Sequence, residues 1–262
     1  MAWCLASMSA LNPACKSAAQ PPSPSGYRIV AIFPHDTSAY TQGLVWHDGK
    51  LFESTGLYGQ SQVRIVDPIT GTVRKAVSIP ADRFGEGLTR LGDRLYQLTW
   101  QHELGYVYDA STLARVDSFA YHGEGWGLTT DGRQLIMSDG SDTIRFLDPR
   151  TYNVTRSLAI RFSTRAPVSR LNELEYINGE LFANVYQSDW IVRINPATGI
   201  VTEILDLAPI PVRHRGRSVE EDVLNGIAFD AHNGQLLVTG KRWRSLFSIA
   251  LDRPPGLKNI EP

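Results

Sequence analysis

Proton transfer by a carboxylate is the chemistry this sequence is best equipped to do, and Glu86, held between Gly85 and Gly87, is its best candidate. Burial among aromatic rings would raise the pKa of such a carboxylate into the range where it can both take and return a proton. The alternative is a structural carboxylate satisfied by backbone amides. Other chemistries lack their residues. Cys4 and Cys15 are the only cysteines and precede the Ala/Pro/Ser-rich run Ser17 to Pro24. The body of the chain therefore offers no thiol nucleophile, CxxC redox pair or thiolate zinc site. His35, His47, His102, His122, His214 and His232 are scattered, with no HExxH spacing, so a catalytic zinc is not expected. No Gly-Xaa-Ser-Xaa-Gly elbow supports a serine nucleophile.

Glu86 belongs to a repeated pattern. Gln42-Gly43-Leu44, Glu86-Gly87-Leu88, Trp126-Gly127-Leu128, Asn172-Glu173-Leu174 and Asn225-Gly226-Ile227 follow one another at propeller-blade spacing, roughly 40 to 50 residues. Each is followed by a turn such as His47-Asp48-Gly49 or Asn178-Gly179 and then a short apolar strand. A third marker, an Asp or Asn ending a strand before a turn, recurs at Asp67, Asp109, Asp148 and Asn195. Three markers in one order predict an all-β, five-bladed β-propeller rather than a sandwich with accidental periodicity. Pairing of the spare strand Tyr27 to Phe33 with Ser245 to Leu251 closes the ring.

Equivalent positions on the innermost strands set Gln42, Glu86, Trp126, Asn172 and Asn225 at one height around the central channel. The flanking Gly and Leu recur while this position varies, as expected of a constant scaffold around a site. Trp100, Tyr186 and Lys241 follow the next strands and should reach the same mouth. One carboxylate, one amine, several amides and aromatic faces suit a small polar substrate carrying an amide. Glu124, two residues before Trp126, either supports the pocket or lies in the entering loop. Lys241 could instead be a solvated lysine, the tryptophans packing between blades, and the asparagines channel caps.

Lys and Arg number 26 against 27 Asp and Glu. The net charge of -1 creates no field that would attract nucleic acid. No apolar run approaches the roughly 18 residues of a membrane span. Residues 1–26 read as an export signal remnant or disordered linker, with an apolar start that lacks basic residues, and 27–262 as one propeller domain. A periplasmic or secreted location is expected.

Tyr40-Thr41-Gln42-Gly43-Leu44, Glu53-Ser54-Thr55-Gly56-Leu57-Tyr58-Gly59, Phe84-Gly85-Glu86-Gly87-Leu88-Thr89, Gly123-Glu124-Gly125-Trp126-Gly127-Leu128, Leu171-Asn172-Glu173-Leu174-Glu175-Tyr176 and Leu224-Asn225-Gly226-Ile227-Ala228 together resemble the glutaminyl cyclases of plants and bacteria. That family has a five-bladed propeller fold and converts N-terminal glutamine of peptides or proteins to pyroglutamate, releasing ammonia. The resemblance implies catalytic roles for Glu86, Lys241 and Asn172. It implies substrate binding by Gln42, Trp100, Trp126, Tyr186, Tyr40, Phe84, Glu124 and Asn225. Catalysis is expected to need no metal or cofactor, while a structural calcium ion in the channel is allowed for, without assigned ligands. Tyr186 stands where the family has Trp, and Tyr40 where it often has Phe.

The substrate's own α-amine would attack its γ-carboxamide, so no enzyme nucleophile is required. Activity is expected to rise toward mildly alkaline pH, because an α-amine has a pKa near 7.7 to 8.0. The readings set against this one are a non-catalytic propeller binding peptide N-termini and a calcium-dependent lactonase. The latter needs more acidic ligands than the ring supplies. The insertion Pro209 to Asp222, with Arg213, His214, Arg215 and Arg217, either flanks the pocket and selects acidic substrate residues or is an ordinary loop.

Overall fold

The structure, a computed structural model, describes Pro22 and residues 24–256. The expected export segment lies almost wholly outside the described residues, as do Cys4 and Cys15. Four four-stranded antiparallel sheets, and a fifth of four antiparallel strands with Pro24–Ser25 added in parallel at its edge, surround one axis. Their innermost strands are Thr41–His47, Gly85–Leu91, Leu128–Thr130, Leu171–Ile177 and Leu224–Asp230. Each innermost strand contacts the next, and the fifth contacts the first, which is the five-bladed propeller expected from the repeats. Tyr27–Pro34 pairs antiparallel with Ser245–Leu251 and completes the fifth blade, fastening the two ends of the chain into one ring. Pro24 and Ser25, inside the expected leading segment, pair in parallel with Ile204 and Leu205 on the fourth blade. Among the described residues no helix is long and apolar enough to cross a membrane.

The repeated sequence markers have separate physical causes. Asp67, Asp109, Asp148 and Asn195 each accept backbone N–H bonds from residues two and three positions on. These bonds fix the turn between third and fourth strands. The glycines of the triplets reflect close approach between blades. A Cβ on Gly43 would lie 2.4 Å from the Leu88 nitrogen, and one on Gly87 2.4 Å from that of Leu128. Neighbouring innermost strands can run this close only where no side chain intervenes. The fourth blade departs from the rule. Glu173 replaces the glycine, and its carboxylate accepts the N–H of Leu44 at 3.3 Å and of Ile227 at 2.8 Å, tying the first and fifth blades across the channel.

Strand pairing slips register across the triplets of the first, second, fourth and fifth blades. Such bulges re-aim the local side chain and recur beside active sites. Apolar seams between blades hold this geometry in place. Leu88, Tyr106 and Tyr108 fill one, and Phe182, Trp243 and Phe247 another. The outermost strands, such as Val73–Ser78, are mostly exposed, so rigidity is greatest around the axis where the varied triplet residues converge.

Candidate active site

A cavity of about 220 Å³ sits at the end of the channel where the innermost strands begin. Tyr40, Gln42, Phe84, Glu86, Trp100, Trp126, Asn172, Tyr186 and Lys241 line it. Gln42, Glu86 and Asn172 come from three bulges, and Trp126 from just ahead of the third blade, its N–H bonded to the Ser138 carbonyl at 3.0 Å. Trp100, Tyr186 and Lys241 follow the second strands of their blades. Their N–H groups bond the carbonyls of Phe84 at 3.0 Å, Arg170 at 2.8 Å and Val223 at 2.9 Å, which holds each side chain at the mouth. Glu124 and Asn225, also selected from the sequence, stand behind this lining rather than in it.

Aromatic rings form the walls. Phe84 meets Tyr40 and Trp100 edge to face at 6.0 and 5.8 Å, and Trp126 meets Tyr186 at 5.5 Å. The two indoles share one anchor, since Trp100 and Trp126 both donate Nε1–H to Glu124 Oε2 at 2.8 Å. Burial works against the Glu124 charge, but these bonds and a third from Gln101 more than reverse it, and the carboxyl lies below its usual range. A Glu124→Ala variant should therefore lose about 10- to 100-fold in kcat/KM, the equivalent of about one charged hydrogen bond. Its near-ultraviolet circular dichroism should change while the melting temperature barely moves. Unaltered kinetics would mean that packing alone aligns the indoles.

A directional chain of amides orients Glu86. Asn225 Nδ2 donates to Gln42 Oε1 at 2.9 Å and to the Thr41 carbonyl at 3.0 Å, and Gln42 Nε2 donates to Glu86 Oε1 at 2.9 Å. Both ends of the Gln42 amide are occupied, so it fixes the carboxylate and leaves Glu86 Oε2 for another partner. Burial raises the Glu86 pKa well above the usual carboxylate range; Lys241 pulls it down and Glu124 pushes it up. Lys241 is itself buried, which lowers its pKa to about 8 against the upward pull of Glu86. Its ammonium lies 4.8 Å from the Tyr40 ring centre and 4.7 Å from that of Tyr186, cation–π contacts that hold a desolvated cation. Burial, with Tyr186 and Glu86 nearby, pushes the Tyr40 phenol far upward, so it stays neutral.

Asn172 Oδ1 is buried without a hydrogen-bond partner. Asn172 itself lines the cavity, so a ligand that reaches this side chain could supply the missing donor. Behind Glu86, Tyr108 donates to Gln97, Gln97 to Ser54, and Ser54 to the Glu86 carbonyl at 2.5 Å. Sequence reasoning did not single out this buried relay, although polar Ser54 and Gln97 interrupt otherwise apolar strands. Glu173 was also visible as the one triplet that breaks the glycine rule.

Among the described residues no three His, Cys, Asp or Glu side chains gather as metal ligands. The channel side chains do not fit a calcium ion, which takes six to eight oxygens. Burial and then Glu175 raise the pKa of Glu173 well above the usual range, and its carboxylate is already engaged by two backbone N–H groups. Asn172 Oδ1, Asn225 Oδ1 and the one free oxygen of Glu86 fall short of such a shell.

The family model described as Glutamine cyclotransferase matches residues 1–251. A glutaminyl-peptide cyclotransferase of Arabidopsis thaliana is 47% identical over 230 residues, 85% of this chain and 70% of the relative. The crystal structure of Myxococcus xanthus glutaminyl cyclase superposes with a TM-score of 0.82 at 35% identity, covering 88% of this chain and 98% of that one. With a propeller whose five unlike triplets converge on a buried carboxylate, the chain belongs to the glutamine cyclotransferase family.

Proposed function

We propose that this propeller cyclises N-terminal glutamine of peptides or proteins to pyroglutamate, releasing ammonia without a metal or cofactor. The observation that carries the reading is the buried Glu86, with one oxygen held by Gln42 and the other facing a small aromatic cavity. The cavity suits one folded glutamine side chain, and the indole and phenol rings hold its methylenes in the cyclic conformer. Asn172 Oδ1 accepts a hydrogen from the substrate's amine. Glu86 Oε2 takes a proton from the α-nitrogen as this nitrogen bonds to the side-chain carbonyl carbon. The charge that develops on the carbonyl oxygen is balanced by the Lys241 ammonium. Glu86 then returns the proton to the side-chain nitrogen, the carbon–nitrogen bond breaks, and ammonia leaves. An extracytoplasmic place of action, periplasmic or secreted, is in keeping with the apolar opening of the chain.

Release of ammonia from a glutamine-initiated dipeptide, followed with EDTA present, tests the reading directly. Turnover unaffected by the chelator is expected. A well-folded protein that binds the peptide without turnover would establish the non-catalytic alternative.

Lys241 makes a separate prediction about pH. Ionised Glu86 and protonated Lys241 are both required, so the rate should rise as Glu86 loses its proton and fall as Lys241 does, near pH 8. This gives a narrower optimum than substrate amine ionisation alone. In Lys241→Met, kcat should drop about 10²- to 10³-fold, as for loss of an oxyanion partner. The acid limb should move to higher pH, because the cation that lowers the Glu86 pKa is gone. A pH–rate profile with the acid limb unmoved would show that Lys241 does not act on Glu86.

A further inference from the structure

We propose that a basic cleft beside the active cavity binds an acidic side chain located within about three residues after the glutamine, and so selects acidic peptides. This assignment rests on the reading of the cavity as a glutamine site. The cleft measures about 450 Å³ and is lined by Arg217, Arg242 and Arg244 with Thr37, Ser38 and Asp222. It adjoins the cavity across a single ring. Lys241 Nζ of the cavity lies 4.8 Å from the Tyr40 ring centre, and the guanidinium carbon of Arg242 in the cleft lies 5.1 Å from it. The two cationic heads are thus no more than about 10 Å apart, a span that extended peptide at about 3.3 to 3.6 Å per residue covers in three residues.

The charges in the cleft do not cancel. Arg242 meets Asp222 at 3.2 Å and Glu221 at 3.5 Å. Asp222 uses its other oxygen to accept the N–H groups of Arg217 and Ser218 at 2.7 and 2.9 Å. Asp36, next in sequence to the cleft residue Thr37, is committed to Arg64 at 2.7 Å. The guanidinium groups of Arg217 and Arg244 have no hydrogen bond or ion pair among the described residues, and both residues are exposed. A carboxylate is the partner that two such groups lack, and arginine suits it by its forked donors.

The insertion that carries Arg217 is built to keep its position. Arg215 pairs with Asp189 at 2.7 Å and donates to the carbonyls of Leu207, Ala208 and Ile210. His214 Nδ1 lies 2.9 Å from Ser245 Oγ, and the His214 carbonyl accepts the Arg244 N–H at 3.0 Å. Of the loop's basic residues, His214 and Arg215 fasten it, Arg217 lines the cleft, and Arg213 is exposed outside the cleft lining.

The test compares two amidated peptides that differ only in charge, Gln-Ala-Asp-Asp and Gln-Ala-Ala-Ala, on the wild-type chain and on Arg217→Ser/Arg244→Ser. Ammonia release gives kcat/KM, and a fluorescent label at the peptide C-terminus gives affinity. The acidic peptide should lead by about threefold to tenfold in the wild type, the yield of a few exposed charge pairs. The lead should shrink with added salt and vanish in the double variant, while the neutral peptide is handled alike by both proteins. Equal handling of the two peptides by the wild type, or a lead that survives in the double variant, overturns the proposal. If neither peptide is cyclised, the functional reading fails. A charge-dependent difference in affinity then still establishes the cleft, and its absence still removes it.

Discussion

A Glu86→Gln protein should keep its fold and lose about 10²- to 10⁴-fold in kcat on a glutamine-initiated peptide, the usual contribution of a positioned acid/base. The substitution preserves shape, and an amide oxygen at the same place still accepts the Gln42 Nε2 hydrogen bond now made at 2.9 Å. What disappears is the ability to take and return a proton, together with the charge that holds up the Lys241 pKa. Stability gives an independent check with an opposite sign. Burial raises the Glu86 pKa, so the native protein holds this proton more tightly than the unfolded chain. Its stability is favoured at low pH and declines as pH rises from the ordinary carboxylate value, about 4.3, through the raised native one. Glutamine has no such penalty. The variant should therefore melt higher than the wild type at pH 8, with the difference disappearing near pH 4. Normal kcat in the variant would rule out Glu86 as the proton carrier, whatever the melting data show.

The same residue shows why so much of this protein is legible in its sequence. A propeller repeats its local physics in every blade, so each departure from the repeat marks something specific. Gly43, Gly87 and Gly127 recur because adjacent strands leave no room for a Cβ. The first residue of each triplet varies because it is turned toward the axis, by a bulge at Gln42, Glu86 and Asn172 and from just ahead of the strand at Trp126, so that these four meet in the cavity. What stayed hidden depends on contacts between blades. Nothing near Asn225 in sequence indicates that it would orient Gln42 from 183 positions away. Nothing near Glu124 distinguishes a loop carboxylate from one that holds two indoles. The arginines of the insertion were visible as charges, but that Arg215 fastens the loop follows only from where Asp189 lies.

The largest expected loss of stability comes from a buried charge cluster behind the cavity, probed by Glu53→Gln. His35 Nε2 donates to Glu53 Oε1 at 3.0 Å and His35 Nδ1 to the Trp243 carbonyl at 2.9 Å. Both partners only accept, so both ring nitrogens carry hydrogen and the histidine is an imidazolium. Burial alone would lower its pKa, but the Glu53 charge and these bonds outweigh it and the pKa is raised. Burial likewise opposes the Glu53 charge, yet His35, Arg64 and Thr41 hold its pKa below the usual value.

The two pKa shifts bound one pH window. The His35 contribution is complete below the free imidazole value, about 6.5, and is withdrawn as pH rises through the native one. The Glu53 contribution is complete above about 4.3 and is withdrawn as pH falls through its lowered native value. Removing the carboxylate charge leaves buried His35 either to hold its proton unpaired or to give it up against the Trp243 carbonyl, and takes one of its two carboxylates from the Arg64 guanidinium. The expected cost is about 3–5 kcal/mol, or roughly 6 to 20 °C in melting temperature for a domain of this size. A His35→Asn/Glu53→Gln double variant should recover part of that loss, since the partner left charged is then gone as well.

The damage should also reach the cavity. Thr41 Oγ1 donates to Glu53 at 2.8 Å, and Thr41 immediately precedes Gln42 in the bulge that aims it at Glu86. The surviving folded fraction of Glu53→Gln should accordingly show a lower kcat, because the carboxylate is less well held. Thermal melts at pH 5, 7 and 9 with parallel kinetics decide the matter. A melting temperature within about 2 °C of the wild type at pH 5 and 7 would mean that the cluster contributes less than roughly 1 kcal/mol, and that the propeller positions Gln42 without it.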